Sequence, residues 1–541
     1  MLASRKGVVN EQPGRRIGTR QAGPQEHSAK QTFFMTGSAM VAYIAAAKLA
    51  MHLAIASSSG FFIDELYFLA CGEHLAWGYV DFPPLTAAQA WIARSLFGGS
   101  MFAIHLLPAL AGAGLVLLTG RITREFGGGR FAQALAALAT ALAPVYLFFH
   151  SYLSMNSIEP LLWMGCALLV IRIIKTGNTK LWLWFGILAG LGMENKHTMA
   201  MFCFAVVLGL LLARERSLLW SGWLLAGAAA AFLVFLPNLI WMIQHHFPHL
   251  ELLANIKKSG RDVVASPIGF LKMQVLFLGP VALPVWVLGL WGLIATREGR
   301  PYRSIGLSYF VVLAILLLLQ AKVYYLAPIY PVLFAAGAVA VERLIRLSHK
   351  RAVNAIGYAY LAVLAIAGMI LAPMTLPILR PDTYLRYSSA LGVSQPRIEN
   401  RATNALPQFF ADRLGWPEMA HAAAGVYYSL PEEERARTAI FGNDYGQCGA
   451  IDYYGPSLGL PKSIGTHLTY WYWGPRSYTG DTVIVLGDNR HGVDGHFEEV
   501  HEAAEVGHPY SMQQEHFTIY LCRKPRGWTF QSIWPELKNW R

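Results

Sequence analysis

Charge is what this sequence has least of. Asp, Glu, Lys and Arg make up 14% of its 541 residues and hydrophobic residues 55%, against about 25% charged in ordinary soluble domains, which excludes a wholly soluble chain. There are only five cysteines and they form no metal-ligand cluster: Cys166 and Cys203 lie inside apolar runs and Cys71, Cys448 and Cys522 outside them. Cys448 and Cys522 could pair in an oxidising compartment. No G-x-G-x-x-G motif follows a strand-like segment, so dinucleotide binding is unsupported. No internal repeat or low-complexity stretch appears, and no small-residue cleavage site cleanly follows the first apolar run.

What is present is a series of hydrophobic runs. The first covers 33–57, and others follow near 101–120, 131–150, 158–174, 181–195, 197–213, 218–241, 269–295, 304–320, 323–342 and 353–372. A bilayer core needs about 20 helical residues per crossing, so a polytopic α-helical membrane protein with about eleven spans is expected. The formal charge of +12 could suggest a nucleic-acid partner, but much of it sits in short loops between these runs. Arg121/Arg124/Arg130, Arg172/Lys175/Lys180, Arg214/Arg216, Arg297/Arg300/Arg303 and Arg343/Arg346/Lys350/Arg351 fill alternate connections. Lys and Arg are retained on the cytoplasmic side, which places those loops inside and the intervening ones outside.

Three regions follow: a disordered basic cytoplasmic tail (1–32), a transmembrane domain (33–372) and a soluble extracytoplasmic α/β domain (373–541). In the last, 417–428 reads as a helix and 438–441 as a strand, followed by the loop Gly442–Asn443–Asp444–Tyr445–Gly446 and a helix to 454. Strands are expected at 482–487 and 517–521, with a helix at 493–504.

The candidate chemistry lies in the outward loops. The first contains Ile63–Asp64–Glu65–Leu66–Tyr67 and then Asp81–Phe82–Pro83–Pro84–Leu85. A carboxylate at the hydrocarbon boundary is costly unless it faces a polar cavity, and apolar neighbours would raise its pKa toward that of a general base. The alternative is that Asp64 or Glu65 caps an interfacial helix. In the second loop, Asn156 and Glu159 stand at i, i+3 at the head of a span, as a site pair or as a capping arrangement. The third holds Lys196. A later turn carries Lys322, Tyr324 and Tyr325: a cation for a lipid phosphate with phenolic donors, or an interfacial anchor. His245, His249 and Glu251 could bind a divalent metal, although Pro248 interrupts a regular helix there. The run Tyr470–Trp471–Tyr472–Trp473 could stack on an acceptor or pack at the membrane surface.

Together these motifs resemble the GT-C glycosyltransferases that use polyprenyl-phosphate sugars, above all the family 39 protein mannosyltransferases and their bacterial relatives, including the aminoarabinose–lipid A transferases. The resemblance rests on the Asp64–Glu65 segment with Asp81–Phe82–Pro83–Pro84, on Ser154–Met155–Asn156–Ser157–Ile158–Glu159–Pro160, and on Lys322–Val323–Tyr324–Tyr325 through Tyr330–Pro331. It covers roughly residues 35–345.

The resemblance implies a catalytic base at Asp64, with Glu65 shaping the site and Glu159 orienting the acceptor or a bound ion. It implies Lys322 on the donor phosphate, with Tyr324, Tyr325 and Lys196 beside it, and Asp81, Asn156 and His246 near the acceptor pocket. Many relatives carry an aspartate in the second loop, where this chain has Asn156 and Glu159. A divalent metal accompanies some relatives, and no cofactor follows from the residues here. The expected activity is inverting transfer of a hexosyl or pentosyl group from a polyprenyl-phosphate donor to an extracytoplasmic lipid, glycan or protein at the cell membrane, with no nucleic-acid partner. The alternative is a transporter or flippase of envelope glycolipids. It is disfavoured because the acids cluster at one face and the spans show no paired broken halves. A binding module on a membrane anchor would not need so many spans.

Overall fold

A computed structural model describes residues 36–58, 60–392 and 399–540; the expected basic tail lies outside them. The protein is a multi-pass membrane protein. Seven described helices are long and apolar enough to cross a bilayer, and an eighth crossing arises if the bent pair Pro267–Leu278 and Pro280–Ala295 counts as one. The seven are α1 (Gly37–Ile55), α4 (Met101–Glu125), α7 (Met155–Thr176), α10 (Gly222–Gln244), 300–318, 323–348 and 351–374. Three of the eleven runs expected as spans form shorter helices: α5 (Arg130–Leu142), α8 (Leu181–Asn195) and α9 (Thr198–Leu212). Between α1 and α4 lie the short helices α2 (Ile63–Glu73) and α3 (Leu85–Phe97).

Local chemistry explains the boundaries. Thr36 and Ser100 accept from Ala39 N (3.2 Å) and Ala103 N (3.3 Å), capping α1 and α4. The run expected at 131–150 breaks at Ala143, held extended by the following Pro144, and α6 (Pro144–Phe149) begins afresh. Lys48 of α1 donates to Ala141 O (3.1 Å) and Tyr146 O (3.2 Å) on either side of the break, joining the end of one helix to the next. The run at 269–295 bends by 99° beyond Leu278, where Gly279 adopts a φ of 85°. Elsewhere helices meet through glycine. A Cβ on Gly186 of α8 would fall 1.8 Å from Gly227 O of α10, the small-residue contact that membrane helices use for close approach.

At one end of the bundle stands a five-stranded mixed sheet, β2-β1-β3-β5-β4, from β1 (Ala439–Gly442), β2 (Ile464–Gly465), β3 (Thr482–Leu486), β4 (Phe497–Val506) and β5 (Phe517–Pro525). The helix expected at 493–504 is a correction. Only Arg490–His496 is helical, and Phe497–Val506 is an edge strand antiparallel to β5. Its acidic, alanine-containing sequence suits a helix locally, but ladder pairing overrides that weak preference.

Side-chain alternation divides the sheet into two faces. Ile440, Ile484, Leu486, Ile519 and Leu521 pack toward the bundle in one core with Cys448, while Ala439, Val483, Val485 and Tyr520 form another with Cys522, Phe530 and Trp534. The two cysteines therefore belong to opposite faces, and all five cysteines are free thiols. The disulfide considered from the sequence does not form.

The bundle-side core decides where the sheet sits. Phe61, Ile63, Leu66 and Phe68 of the first loop and α2 are buried together with Trp416, Met419, Cys448 and Ile451. Each such side chain contributes about 1.5–3 kcal/mol on burial. The sheet is consequently packed onto the first loop rather than hung from the bundle by a linker.

Candidate functional site

The first loop presents its two adjacent acids to different surroundings. Glu65 is fully buried. Its Oε1 accepts from His105 Nε2 (2.9 Å) and Leu153 N (2.7 Å), and its Oε2 accepts from Phe62 N (2.8 Å). His105 Nδ1 donates to Ala56 O (2.7 Å), so both ring nitrogens meet acceptors. Burial raises the Glu65 carboxyl, but His105, the Arg413 charge and the Leu153 amide outweigh it and hold it below its ordinary value. Glu65 thus ties the first loop to α4 and to the second loop.

Removing one partner of a buried ion pair typically costs about 3–5 kcal/mol. Glu65→Ala should destabilise the protein by about that amount, read as a lower unfolding temperature in detergent, whereas Glu65→Gln, which keeps an acceptor, should lose less.

Asp64, in the first turn of α2, faces the sheet domain instead. Tyr445 Oη donates to Asp64 Oδ1 (2.7 Å). Burial raises the Asp64 carboxyl above its ordinary value; the Tyr445 hydrogen bond and the charges of Lys322 and Arg401 oppose this, and Glu399 adds to it. Asp81 lies within electrostatic reach of Asp64 and accepts from Tyr67 Oη (3.0 Å). Tyr67 also shares a 2.6 Å hydrogen bond with Thr469 Oγ1.

Lys322 precedes a 3-10 turn (Val323–Ile329) and is gripped by Glu399 (2.9 Å) and Asp262 (3.3 Å). Those two carboxylates are brought together by a backbone bridge between Asp262 and Glu399. Arg401 and Gln408 also bond Glu399, at 3.2 and 3.1 Å. Burial works against the Lys322 charge, yet Glu399, Tyr325 and Asp262 raise its pKa above the usual value. Burial also works against the Glu399 anion, but Lys322 and Arg401 bring its pKa down to about 2.

The second-loop residues form an adjoining cluster. Lys196 donates to Asn156 Oδ1 (2.8 Å) and Glu159 Oε2 (2.9 Å), and Thr198 bonds the other Glu159 oxygen. The Lys196 ammonium lies 4.1 Å from the centre of the Tyr325 ring and 5.7 Å from that of Tyr324, a cation–π arrangement. Tyr152 and Tyr324 link the clusters, since the Asp64 charge acts on both phenols.

Asp64, Asp81, Lys322, Tyr324, Tyr325, Lys196, Asn156 and Glu159 therefore converge at the sheet-bearing end of the bundle. The histidines do not join them as a metal set. His245 stacks on Trp241 at 4.1 Å, Glu251 pairs with Lys538 (2.7 Å), and His249 lies beside His197. Among the described residues no group of three or more His, Cys, Asp or Glu side chains could hold a metal ion. His246 is exposed, in a left-handed backbone conformation with φ of 57°. Tyr470–Trp473 forms a short helix whose aromatics pack on His74, His245 and Trp540.

Sequence reasoning missed Tyr445, Glu399, Arg401, Asp262, Asp412 and His105 as partners of the site. For Tyr445 a signal existed in the Gly442–Gly446 loop between a strand and a helix; the others stand in segments without a motif.

Buried acids dominate this region. Burial pushes Asp81 up to about 7, and Asp412 and Glu515 each up to about 8. A carboxyl raised in the folded state binds more protons there than in the unfolded chain. Its contribution to stability is complete below the unfolded value near 4 and is lost as pH rises to the folded value. Between about pH 5 and 8 the unfolding temperature should therefore fall as pH rises. Asp412→Asn should flatten that fall and stabilise the protein at pH 8; an unchanged pH profile would contradict this origin.

Comparison with known proteins gives three findings. The sequence profile of the dolichyl-phosphate-mannose-protein mannosyltransferase family matches residues 81–241. No curated protein sequence matches the chain significantly. Among solved structures it is similar to ArnT from Cupriavidus metallidurans bound to undecaprenyl phosphate, at 13% identity and a TM-score of 0.59 over 88% of this chain and 97% of that one. The apo form of the same protein gives 15%, 0.58, 89% and 97%. Mycobacterial arabinofuranosyltransferase AftD gives 16% identity and a TM-score of 0.51 over 90% of this chain but only 40% of that one. At these identities the likeness is one of fold.

Proposed function

We propose that the chain is a GT-C-class, family 39-like glycosyltransferase that moves a sugar from a polyprenyl-phosphate donor to an acceptor hydroxyl on the non-cytoplasmic face, with inversion. The observation that carries this reading is the placement of one half-buried carboxylate, Asp64, held by Tyr445 and within reach of the charge of Lys322 in a single polar cluster. The family profile and the lipid carrier bound by the Cupriavidus relative support the donor class.

In the proposed step the acceptor oxygen attacks the anomeric carbon from the face opposite the phosphate. The new carbon–oxygen bond forms as the bond from that carbon to the phosphate oxygen breaks. The leaving polyprenyl phosphate keeps the electron pair, and the hydroxyl proton passes to Asp64 Oδ2. Oδ1 is the oxygen that Tyr445 holds. Asp64 is the general base. An ammonium has three donors; Glu399 and Asp262 engage Lys322, and a remaining N–H meets charge developing on the phosphate. Lys196, fixed by Glu159 and Asn156, and the phenols of Tyr324 and Tyr325 line the donor side. Glu65 positions the loop. The sheet domain, residues 373–541, forms the acceptor side. This face is assigned as extracytoplasmic because the Lys- and Arg-rich loops alternate with those that build the site.

Mass spectrometry of envelope lipids, glycans and proteins from cells with and without the gene tests the reading. A sugar modification present only with the chain is expected. Identical envelope composition, with altered transbilayer distribution of an unmodified lipid, would replace it with transport.

A further inference from the structure

Tyr445 reaches the site from the sheet domain, 381 residues beyond its partner Asp64 in sequence. Three features fix it in place. Asp444 caps the helix Tyr445–Tyr454, accepting from Gly446 N at 2.7 Å. That helix then lies against α2 through glycines: a Cβ on Gly446 would meet Ile63 Cγ1 at 2.4 Å, and one on Gly449 would meet the Leu66 carbonyl carbon at 2.7 Å. Finally, the Tyr445 ring is packed between the rings of Tyr67 and His467, each 5.0 Å away. The phenol is thus a rigid donor rather than a mobile side chain. Burial, then the Asp64 charge, pushes its own pKa well up, so it donates throughout the working pH range.

We propose that Tyr445 is a positioning residue for the base: its hydroxyl fixes Asp64 through Oδ1, aims Oδ2 at the acceptor, and donates to the carboxylate form inside an acidic cluster. This inference rests on the reading of Asp64 as the base.

The need for such a donor follows from the neighbours. Glu399 adds negative charge near Asp64, Lys322 and Arg401 oppose it, and the Asp64 charge in turn acts on Asp81, Asp412 and the phenols of Tyr152 and Tyr324. Burial alone would favour the protonated acid, which cannot accept a proton. A hydrogen bond from a neutral phenol opposes that rise and favours the anion, without adding a cation that would compete with Lys322 for the leaving phosphate. Such a role also explains why the sheet domain is packed onto the first loop: without it the base lacks its donor.

The test uses the full chain in lipid nanodiscs, with kcat and KM measured across pH for the wild type, Tyr445→Phe and Asp64→Asn, using a synthetic polyprenyl-phosphate sugar. Tyr445→Phe keeps the ring and its packing. Its acid limb should move to higher pH, with kcat below the limb reduced about tenfold or more, as expected for loss of a hydrogen bond to a charged group. Its activity should recover at alkaline pH, with donor KM and unfolding temperature near the wild-type values. A Tyr445→Phe profile superimposed on that of the wild type overturns the inference, as does uniform loss at every pH with a lowered unfolding temperature, which marks packing alone. If Asp64→Asn retains activity, the base assignment fails first and Tyr445 with it. An inactive Asp64→Asn beside an unshifted Tyr445→Phe removes the inference and leaves the base assignment standing.

Discussion

Asp64→Asn is expected to lower the rate of sugar transfer by about 10²–10⁴-fold, the contribution of one positioned general base, while the protein remains folded. The second half of that expectation follows from the geometry. The Asn carbonyl can still accept the Tyr445 hydroxyl bond that the carboxylate accepts now, and the neighbouring Glu65, which ties the loops together, is untouched. Burial raises the Asp64 carboxyl, so the neutral amide removes a desolvated charge and should leave the unfolding temperature unchanged or higher. Full transfer activity in this variant would reject Asp64 as the base.

The second large effect is expected at Lys322. Its replacement by Met removes the cation proposed to meet the leaving phosphate, and loss of one such electrostatic donor costs about 10²–10³-fold in kcat. It also strips Glu399 and Asp262 of a shared partner, so instability alone could lower activity. The double variant Lys322→Met/Glu399→Gln separates the two effects. It relieves the unpaired carboxylate and should recover the unfolding temperature without recovering kcat. Recovery of both would reduce Lys322 to a structural counter-ion.

Much of the helical part was legible because hydrophobic length is a local property. Every apolar run became helix, but continuity was not legible. The break at Ala143–Pro144 has a local cause in the proline, but the Lys48 that bonds carbonyls on either side of it stands more than ninety residues away in the chain, and the 99° bend beyond Leu278 leaves the hydropathy of the run unchanged. For the same reason the expected eleven spans correspond to seven helices of full length, one bent pair and three shorter helices.

In the sheet domain, β1, β3 and β5 are visible as short β-branched or aromatic runs, whereas β4 reads locally as a helix because its partner β5 lies outside any local window. The site shows the same division. Asp64, Glu159 and Lys322 stood out because charge beside apolar helices is rare. Tyr445, Glu399 and Arg401 belong to a polar domain where such residues are ordinary, and only the packing of that domain onto the first loop brings them to Asp64. The cysteines were undecidable by spacing: Cys448 lies on the helix Tyr445–Tyr454 in the bundle-side core, and Cys522 points from β5 into the core on the other face.

The most direct measurement is transfer by the purified chain in nanodiscs, from a radiolabelled polyprenyl-phosphate sugar to envelope lipid, glycan or protein, with the anomeric configuration of the product read by NMR. A product of inverted configuration is expected, formed only with the lipid-linked donor and lost in Asp64→Asn. Product of retained configuration, or equal transfer by Asp64→Asn, would contradict it.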